Sequence, residues 1–219
     1  MLELNILRQL GMKGIIPQGL RKKVLATDIG KEFWQPPPKG YLKYNIDGAS
    51  KGNPGIAGFG GVLRDEEGKI IFVFHYHLGR ATNNMAEVMA LEQCLEFLIQ
   101  HRCSNVIIEA DSKITINSVK RINCGTCPKK VSNHWKLLLV YQRIQVHLQK
   151  LRTVSFNHVR RSANKLEDLL ANQGVNNAES RIAYKWREIP PNNLNFLCEE
   201  QGTEDKEMFD YWSRTTVLN

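Results

Sequence analysis

Tyr41-Leu42-Lys43-Tyr44-Asn45-Ile46-Asp47-Gly48 is the stretch on which the reading of this chain turns. Leu42, Tyr44 and Ile46 alternate with Lys43, Asn45 and Asp47, the period-two pattern of a strand with two unlike faces, and Asp47 falls at its C-terminal end. Gly48, Gly52, Pro54 and Gly55 follow as a turn-rich loop. A second strand is expected from about Ile56 to Arg64, where Gly58, Gly60 and Gly61 mark close backbone approach or a bulge. Asp65-Glu66-Glu67-Gly68 supplies a turn into a third strand, Ile70 to Tyr76, so the opening of the domain reads as a hairpin.

Working outward, Val88, Leu91, Leu95 and Leu98 recur at helical spacing and predict an amphipathic helix lying on the sheet. Asn84 followed by Glu87 fits an N-cap with a reciprocal acidic partner, which gives Glu87 a purely structural reading beside any chemical one. Val106-Ile107-Ile108 is a short buried strand ending at Asp111, and strand, helix and strand in this order predict a crossover between parallel neighbours. A short helix over 112–119, a longer one over 132–149 with Trp135, Leu138, Leu139, Gln142 and Val146 near its buried side, and a fifth strand over 151–156 follow. A last helix carries Ala163, Leu166, Leu169 and Leu170 inward and leaves Asp168 at the edge of that face. The fold class is α/β, with a five-stranded mixed sheet flanked by helices.

Residues 1–40 form a basic leader with Arg8, Lys13, Arg21, Lys22, Lys23 and Lys31, closing on the proline-rich linker Pro36-Pro37-Pro38. The domain is expected over 41–178. Residues 179–219 form an extension whose acidic run, Glu199, Glu200, Glu204, Asp205 and Glu207, is a poor phosphate ligand. With 219 residues, 42% of them hydrophobic, the chain supports one substantial core. A net charge of +8 favours a polyanionic partner through counterion release. Five cysteines without a small-domain disulfide pattern point to a reducing compartment, nuclear or cytoplasmic with an organelle left open, and Cys124-x-x-Cys127 reads as a solvent-facing loop. No window approaches the roughly 20 apolar residues of a membrane span, so no membrane partner is expected.

Asp47, Glu87, Asp111 and Asp168 stand in four separate predicted elements. Brought together without a counter-ion they would repel and raise at least one pKa, a balance that divalent cations reverse. Magnesium takes hard oxygen ligands, and two such ions about 4 Å apart serve phosphodiester hydrolysis. The alternative is four ordinary surface acids.

The ordered motifs Asp47-Gly48-Ala49-Ser50 with Asn53-Pro54-Gly55, Thr82-Asn83-Asn84-Met85-Ala86-Glu87, Glu109-Ala110-Asp111-Ser112, and His158 followed by Asp168 make residues 41–177 resemble the type 1 ribonuclease H family. Trp34-x-Pro36-Pro37-Pro38-x-Gly40 running into Lys43-x-Asn45-x-Asp47 further resembles the ribonuclease-H-like domains of plants, including those attached to non-LTR retroelement reverse transcriptases. The resemblance implies an endonuclease that cuts the RNA strand of RNA:DNA hybrids, leaving 3′-hydroxyl and 5′-phosphate ends. It implies Asp47, Glu87, Asp111 and Asp168 as ligands of two magnesium ions, with manganese a substitute. His158 is implied as an aid to proton transfer or product release from a flexible loop, against a structural reading in which it bridges backbone groups. Asn53 and Asn84 would read ribose hydroxyls, Thr82 with the backbone near the helix start would help hold a phosphate of the DNA strand, and Asn83 would contact the nucleic acid beside them, helix capping being the rival role for Thr82, Asn83 and Asn84.

Lys113 stands where bacterial relatives commonly carry glutamine, and suits phosphate rather than base contact. No basic protruding helix is evident, so Lys120, Arg121, Lys129, Lys130 and the leader are the remaining source of grip. Two rival functions follow: a binding module that retains the fold with little cleavage, and a structural domain of a larger reverse-transcriptase polyprotein. A free-standing chain is expected to be a monomer.

Overall fold

The computed structural model describes residues 34–178 and 180–183. The leader through residue 33 and the acidic run lie outside these residues.

Alternation in the opening stretch produces β1 (Leu42–Gly52), which pairs antiparallel with β2 (Gly55–Arg64), itself antiparallel to β3 (Ile70–Ala81). Helix α1 (Asn83–Gln100) carries the chain over the sheet to β4 (Val106–Ala110), which lies parallel to β1. Helices α2 (Lys113–Asn123) and α3 (Trp135–Lys150) then lead to β5 (Val154–His158), parallel to β4, and α4 (Lys165–Asn176) follows. All five expected strands are present. A short sixth, β6 (Arg181–Ala183), pairs with the far edge of β3, so the sheet order is β5-β4-β1-β2-β3-β6 and the sheet reaches past residue 178.

The expected stripe of α1 is fully buried: Val88, Leu91, Leu95 and Leu98 pack against Tyr44, Ile46, Phe72 and Phe74. Each such aliphatic side chain contributes roughly 1.5–3 kcal/mol by leaving water. Helices α1, α2 and α3 share this core on one face of the sheet, while α4 packs on β1, β2 and β3 from the other. Close approach of α4 depends on paired glycines. A Cβ at Gly58 would stand 2.3 Å from the Gly174 carbonyl carbon, and one at Gly174 would stand 2.3 Å from the Tyr76 carbonyl oxygen.

Helix α3 presents a different face from the one expected. Leu137, Val140, Tyr141, Ile144 and Leu148 are buried, whereas Trp135, Leu139 and Val146 are 63%, 48% and 49% exposed. Nearly every position from Trp135 to Tyr141 is apolar, so two stripes fit the sequence equally well. A paired contact to α1 accompanies the rotation adopted: Arg143 binds the buried Glu92 through both Nε and Nη2, the latter 2.9 Å from Oε2. Cys124 and Cys127 are both exposed in the α2–α3 connection, as a solvent-facing loop requires. Among the described residues no helix is long and apolar enough to cross a membrane.

Candidate active site

Parallel pairing of β1 with β4 sets Ile46 opposite Ala110. The next residue in each case is an acid, so Asp47 and Asp111 stand side by side where the β1–β4 pairing stops. Asp47 is not the strand end expected for it, because β1 continues through Gly48 to Gly52 paired with β2, and Asp111 follows the last residue of β4. Glu87 arrives from α1 across Gly48. A Cβ at Gly48 would lie 2.3 Å from the backbone nitrogen of Glu87, so only glycine lets the helix sit this close to the strand. One carboxylate oxygen from each of Asp47, Glu87 and Asp111 falls within 4.8 Å of the others.

The cap of α1 is Thr82 and not Asn84: its side chain accepts from the Met85 backbone N–H at 3.2 Å. Glu87 therefore lies in the second turn, beyond the capping-box position, and is 4% exposed. A capping role is excluded by this placement, and the inward direction comes from the earlier helix start.

The electrostatics of the cluster are unfavourable in the absence of a cation. Burial, followed by the charges of Glu87, Asp111 and Asp168, pushes the Asp47 carboxyl from 3.8 up to about 10, against a small opposing effect of the Gly48 N–H. Burial and then Asp111 push Glu87 from 4.5 up to about 8, with the hydrogen bond to Asp47 and the charge of Arg161 opposing. Asp47 Oδ2 and Glu87 Oε2 are buried and have no hydrogen-bond partner among the described residues. Two orphaned buried oxygens among hard donors fit a divalent cation, which would supply the missing partner and reverse the repulsion.

Asp168 stands outside this tight trio, in the first turn of α4, but close enough for its charge to raise Asp47. It is linked to Asp111 by Arg161, a residue the sequence reading did not single out. Arg161 Nη2 lies 3.2 Å from Asp168 Oδ1, and Nε lies 3.7 Å from Asp111 Oδ2. Asn164, also missed, is completely buried and donates from Nδ2 to the Ile46 carbonyl at 3.0 Å, tying the entry of α4 to the strand residue before Asp47.

His158 ends β5 and is exposed, a strand terminus rather than the loop expected for it. Its ring Nε2 is 3.1 Å from the Asp111 carbonyl oxygen, so the Nε2-protonated tautomer donates there. At the rim, Asn53 Oδ1 accepts from the Asn83 backbone N–H at 3.2 Å, which draws the β1–β2 turn to the start of α1 and sets Asn53, Thr82, Asn83 and Asn84 along one border. Lys113 is the first residue of α2, exposed, directly after the cap Ser112 and two residues beyond Asp111.

The sequence profile of the family described as reverse transcriptase-like matches residues 45–174, more than half the chain. A ribonuclease H of Bordetella avium is 33% identical over 150 residues, covering 64% of this chain and 93% of that protein. The chain belongs to the ribonuclease H family. An Arabidopsis thaliana protein carrying a ribonuclease H name is 35% identical over 167 residues, 76% of this chain. The chain spans only 25% of the length of that plant relative. The crystal structure of RNase H1 from Halobacterium salinarum superimposes with a TM-score of 0.54 at 31% identity, covering 63% of this chain and 98% of that one. These matches agree with the ribonuclease H fold and its mixed sheet.

Proposed function

We propose that the domain hydrolyses the RNA strand of RNA:DNA hybrids, with divalent magnesium bound by Asp47, Glu87, Asp111 and Asp168, and leaves 3′-hydroxyl and 5′-phosphate ends. The observation that carries this reading is the buried, mutually repelling trio with two unpartnered oxygens, within a chain whose relatives carry ribonuclease H names. Magnesium, when bound, supplies Lewis acidity and a counter-charge for the phosphodiester; the proposal takes two ions, with manganese as a substitute.

The protein's own groups do the rest. Asp47 holds the centre of the donor set, since Glu87, Asp111 and Asp168 all act on its charge. His158 exchanges a proton at Nε2 once that atom leaves the Asp111 carbonyl, and so serves proton transfer or product departure. Asn53 and Asn84 read ribose hydroxyls, which distinguish RNA from DNA. Thr82 and Asn83, at the N-terminus of α1, favour a phosphate of the DNA strand, and Lys113 adds a point charge beside the acids.

Arg161 favours a second reading, a hybrid-binding module with little cleavage, because its guanidinium already places a positive charge between Asp111 and Asp168. One experiment separates the two. Labelled RNA:DNA hybrid, RNA duplex and DNA duplex are each incubated with and without magnesium, alongside Asp47→Asn. Magnesium-dependent cutting of the hybrid alone, abolished in the variant, supports hydrolysis; tight hybrid binding without cutting supports the second reading. Full activity in a folded Asp47→Asn protein would rule out the metal centre.

A further inference from the structure

Beneath the catalytic acids lies a second tier of buried polar groups. Asn45 precedes Asp47 by two residues on β1, Glu109 precedes Asp111 by two on β4, and the two are register partners. Asn45 Nδ2 donates to Glu109 Oε2 at 3.1 Å. Lys43 Nζ lies 3.0 Å from Glu109 Oε1. Arg64, from β2, reaches Asn45 Oδ1 at 3.4 Å and pairs with Glu167 Oε1 at 2.9 Å, both ionic side chains being essentially inaccessible. Glu167 is the residue immediately before Asp168.

Trp34 packs against this tier. Its Nε1–H donates to Asn45 Oδ1 at 2.8 Å, and its ring lies 4.7 Å from the Arg64 guanidinium carbon and 5.5 Å from Lys43 Nζ. Lys43 also donates to the Gln35 carbonyl at 2.7 Å, and the far side of the indole lies over Gly68, where a Cβ would meet it at 3.3 Å. Pro37 is buried and the Tyr41 N–H returns to the Pro38 carbonyl at 3.0 Å. Residues 34–38 are thus packed onto the sheet.

We propose that Trp34, Asn45, Arg64 and Glu167 form a positioning layer that fixes Asp168 relative to Asp47 and Asp111, and that the segment beginning at Trp34 is part of the active domain. The inference rests on the metal-dependent reading above. Two cations and two anions balance within the tier, so it adds no net charge to the acids above it. Ion pairs this deeply buried are weak sources of stability compared with apolar replacements of similar volume; fixing one geometry is their better-attested use. Here the geometry is specific. α4 is tied to β2 through Glu167 and to β1 through Asn164, and Asp168 is the next residue along.

The test uses the full 219-residue chain, with Mn2+ as probe and free Mn2+ measured by electron paramagnetic resonance, beside thermal melting and magnesium-dependent cleavage. The double substitution Arg64→Met with Glu167→Met keeps volume and removes the tether; Trp34→Phe keeps an aromatic ring but removes the Nε1 donor and part of the indole surface. Loss of groups that orient ligands typically lowers metal affinity about 10- to 100-fold, the expectation for the double variant, with about threefold for Trp34→Phe. Melting should stay close to wild type, and saturating magnesium should restore most of the cleavage rate. Unchanged Mn2+ affinity in a folded double variant overturns the inference, as does unchanged affinity in Trp34→Phe should the double variant fail to fold. If the wild-type chain binds no Mn2+, the metal-dependent reading fails, and this inference with it.

Discussion

Replacing Asp47 by asparagine should stabilise the metal-free protein and do so more as pH rises. In the folded state burial and three neighbouring acids hold the Asp47 carboxyl near 10, whereas the unfolded chain returns it to about 3.8. A raised carboxyl pKa means that the folded state binds the proton more tightly. Its penalty is therefore absent below the unfolded value, grows as pH climbs past 3.8 and is complete once pH passes about 10. At pH 7 the interval of about three units amounts to about 4 kcal/mol. Glu87 and Asp111 raise Asp47 only while ionised, and an asparagine amide at this position must still be buried, so the substitution recovers about half, roughly 2 kcal/mol at pH 7. Urea denaturation in EDTA at pH 4, 5.5, 7 and 8.5 measures it as the difference between variant and wild type, in which the titrations of groups that do not interact with Asp47 cancel. The difference should be near zero at pH 4 and widen steadily toward 8.5. A difference that stays flat with pH, or a variant less stable than wild type at pH 7, would refute the electrostatic account of the site.

Three smaller perturbations test neighbouring parts. Thr82→Ala removes the acceptor for the Met85 N–H and should cost about 1 kcal/mol in urea denaturation, the usual value of an N-cap side chain. Lys113→Ala, made in the Asp47→Asn background to prevent turnover, should weaken hybrid binding and flatten the dependence of log affinity on log salt by about 0.7–0.9, one phosphate contact's worth. An unaltered slope would remove Lys113 from the interface. Arg161→Ala withdraws a guanidinium from Asp111 and Asp168 and should tighten Mn2+ binding by about two- to fivefold, the modest scale of an exposed ion pair. Weaker binding would mean that Arg161 orients the acids instead of competing for them.

What was legible in the sequence followed periodicity. Leu42, Tyr44 and Ile46 marked β1, the spacing of Val88, Leu91, Leu95 and Leu98 marked the buried face of α1, and the convergence of Asp47 and Asp111 followed from strand order, although β1 runs past Asp47 to Gly52 because the glycine-rich stretch expected to be a loop stays paired with β2. Periodicity failed where it was degenerate. The apolar run from Trp135 to Tyr141 permits two faces, and choosing between them requires Glu92, more than 40 residues away, with which Arg143 pairs. Thr82, Asn83 and Asn84 are all competent caps, so composition alone could not choose the helix start; that choice decides whether Glu87 caps a helix or enters the site. Arg161 and Glu167 escaped notice for another reason: a charged residue beside a helix start reads as solvent-facing until its partner on a distant element is known. A signal did exist for the lower tier, since Lys43 and Asn45 share the Asp47 face of a central strand, where polar side chains need buried partners.

A site that must hold several carboxylates together before a cation arrives has to resist its own repulsion, and the two ways of doing so leave different traces. Had neighbouring cations neutralised the acids, Lys43 or Arg64 would oppose the rise of Asp47. Burial, Glu87, Asp111 and Asp168 set that rise, and only the Gly48 N–H works against it, so the cations below spend their charge on Glu109 and Glu167. Arg161 offsets part of the repulsion at Asp111, Asp168 and Glu87 from the exposed side, but the buried tier leaves it intact and instead clamps the backbone that carries the acids: β1 to β4 through Asn45 and Glu109, and α4 to β2 through Arg64 and Glu167. Affinity for a divalent ion benefits from this division. Neutralising the acids would remove the attraction that draws the ion in, whereas clamping them keeps that attraction and limits the reorganisation needed on binding.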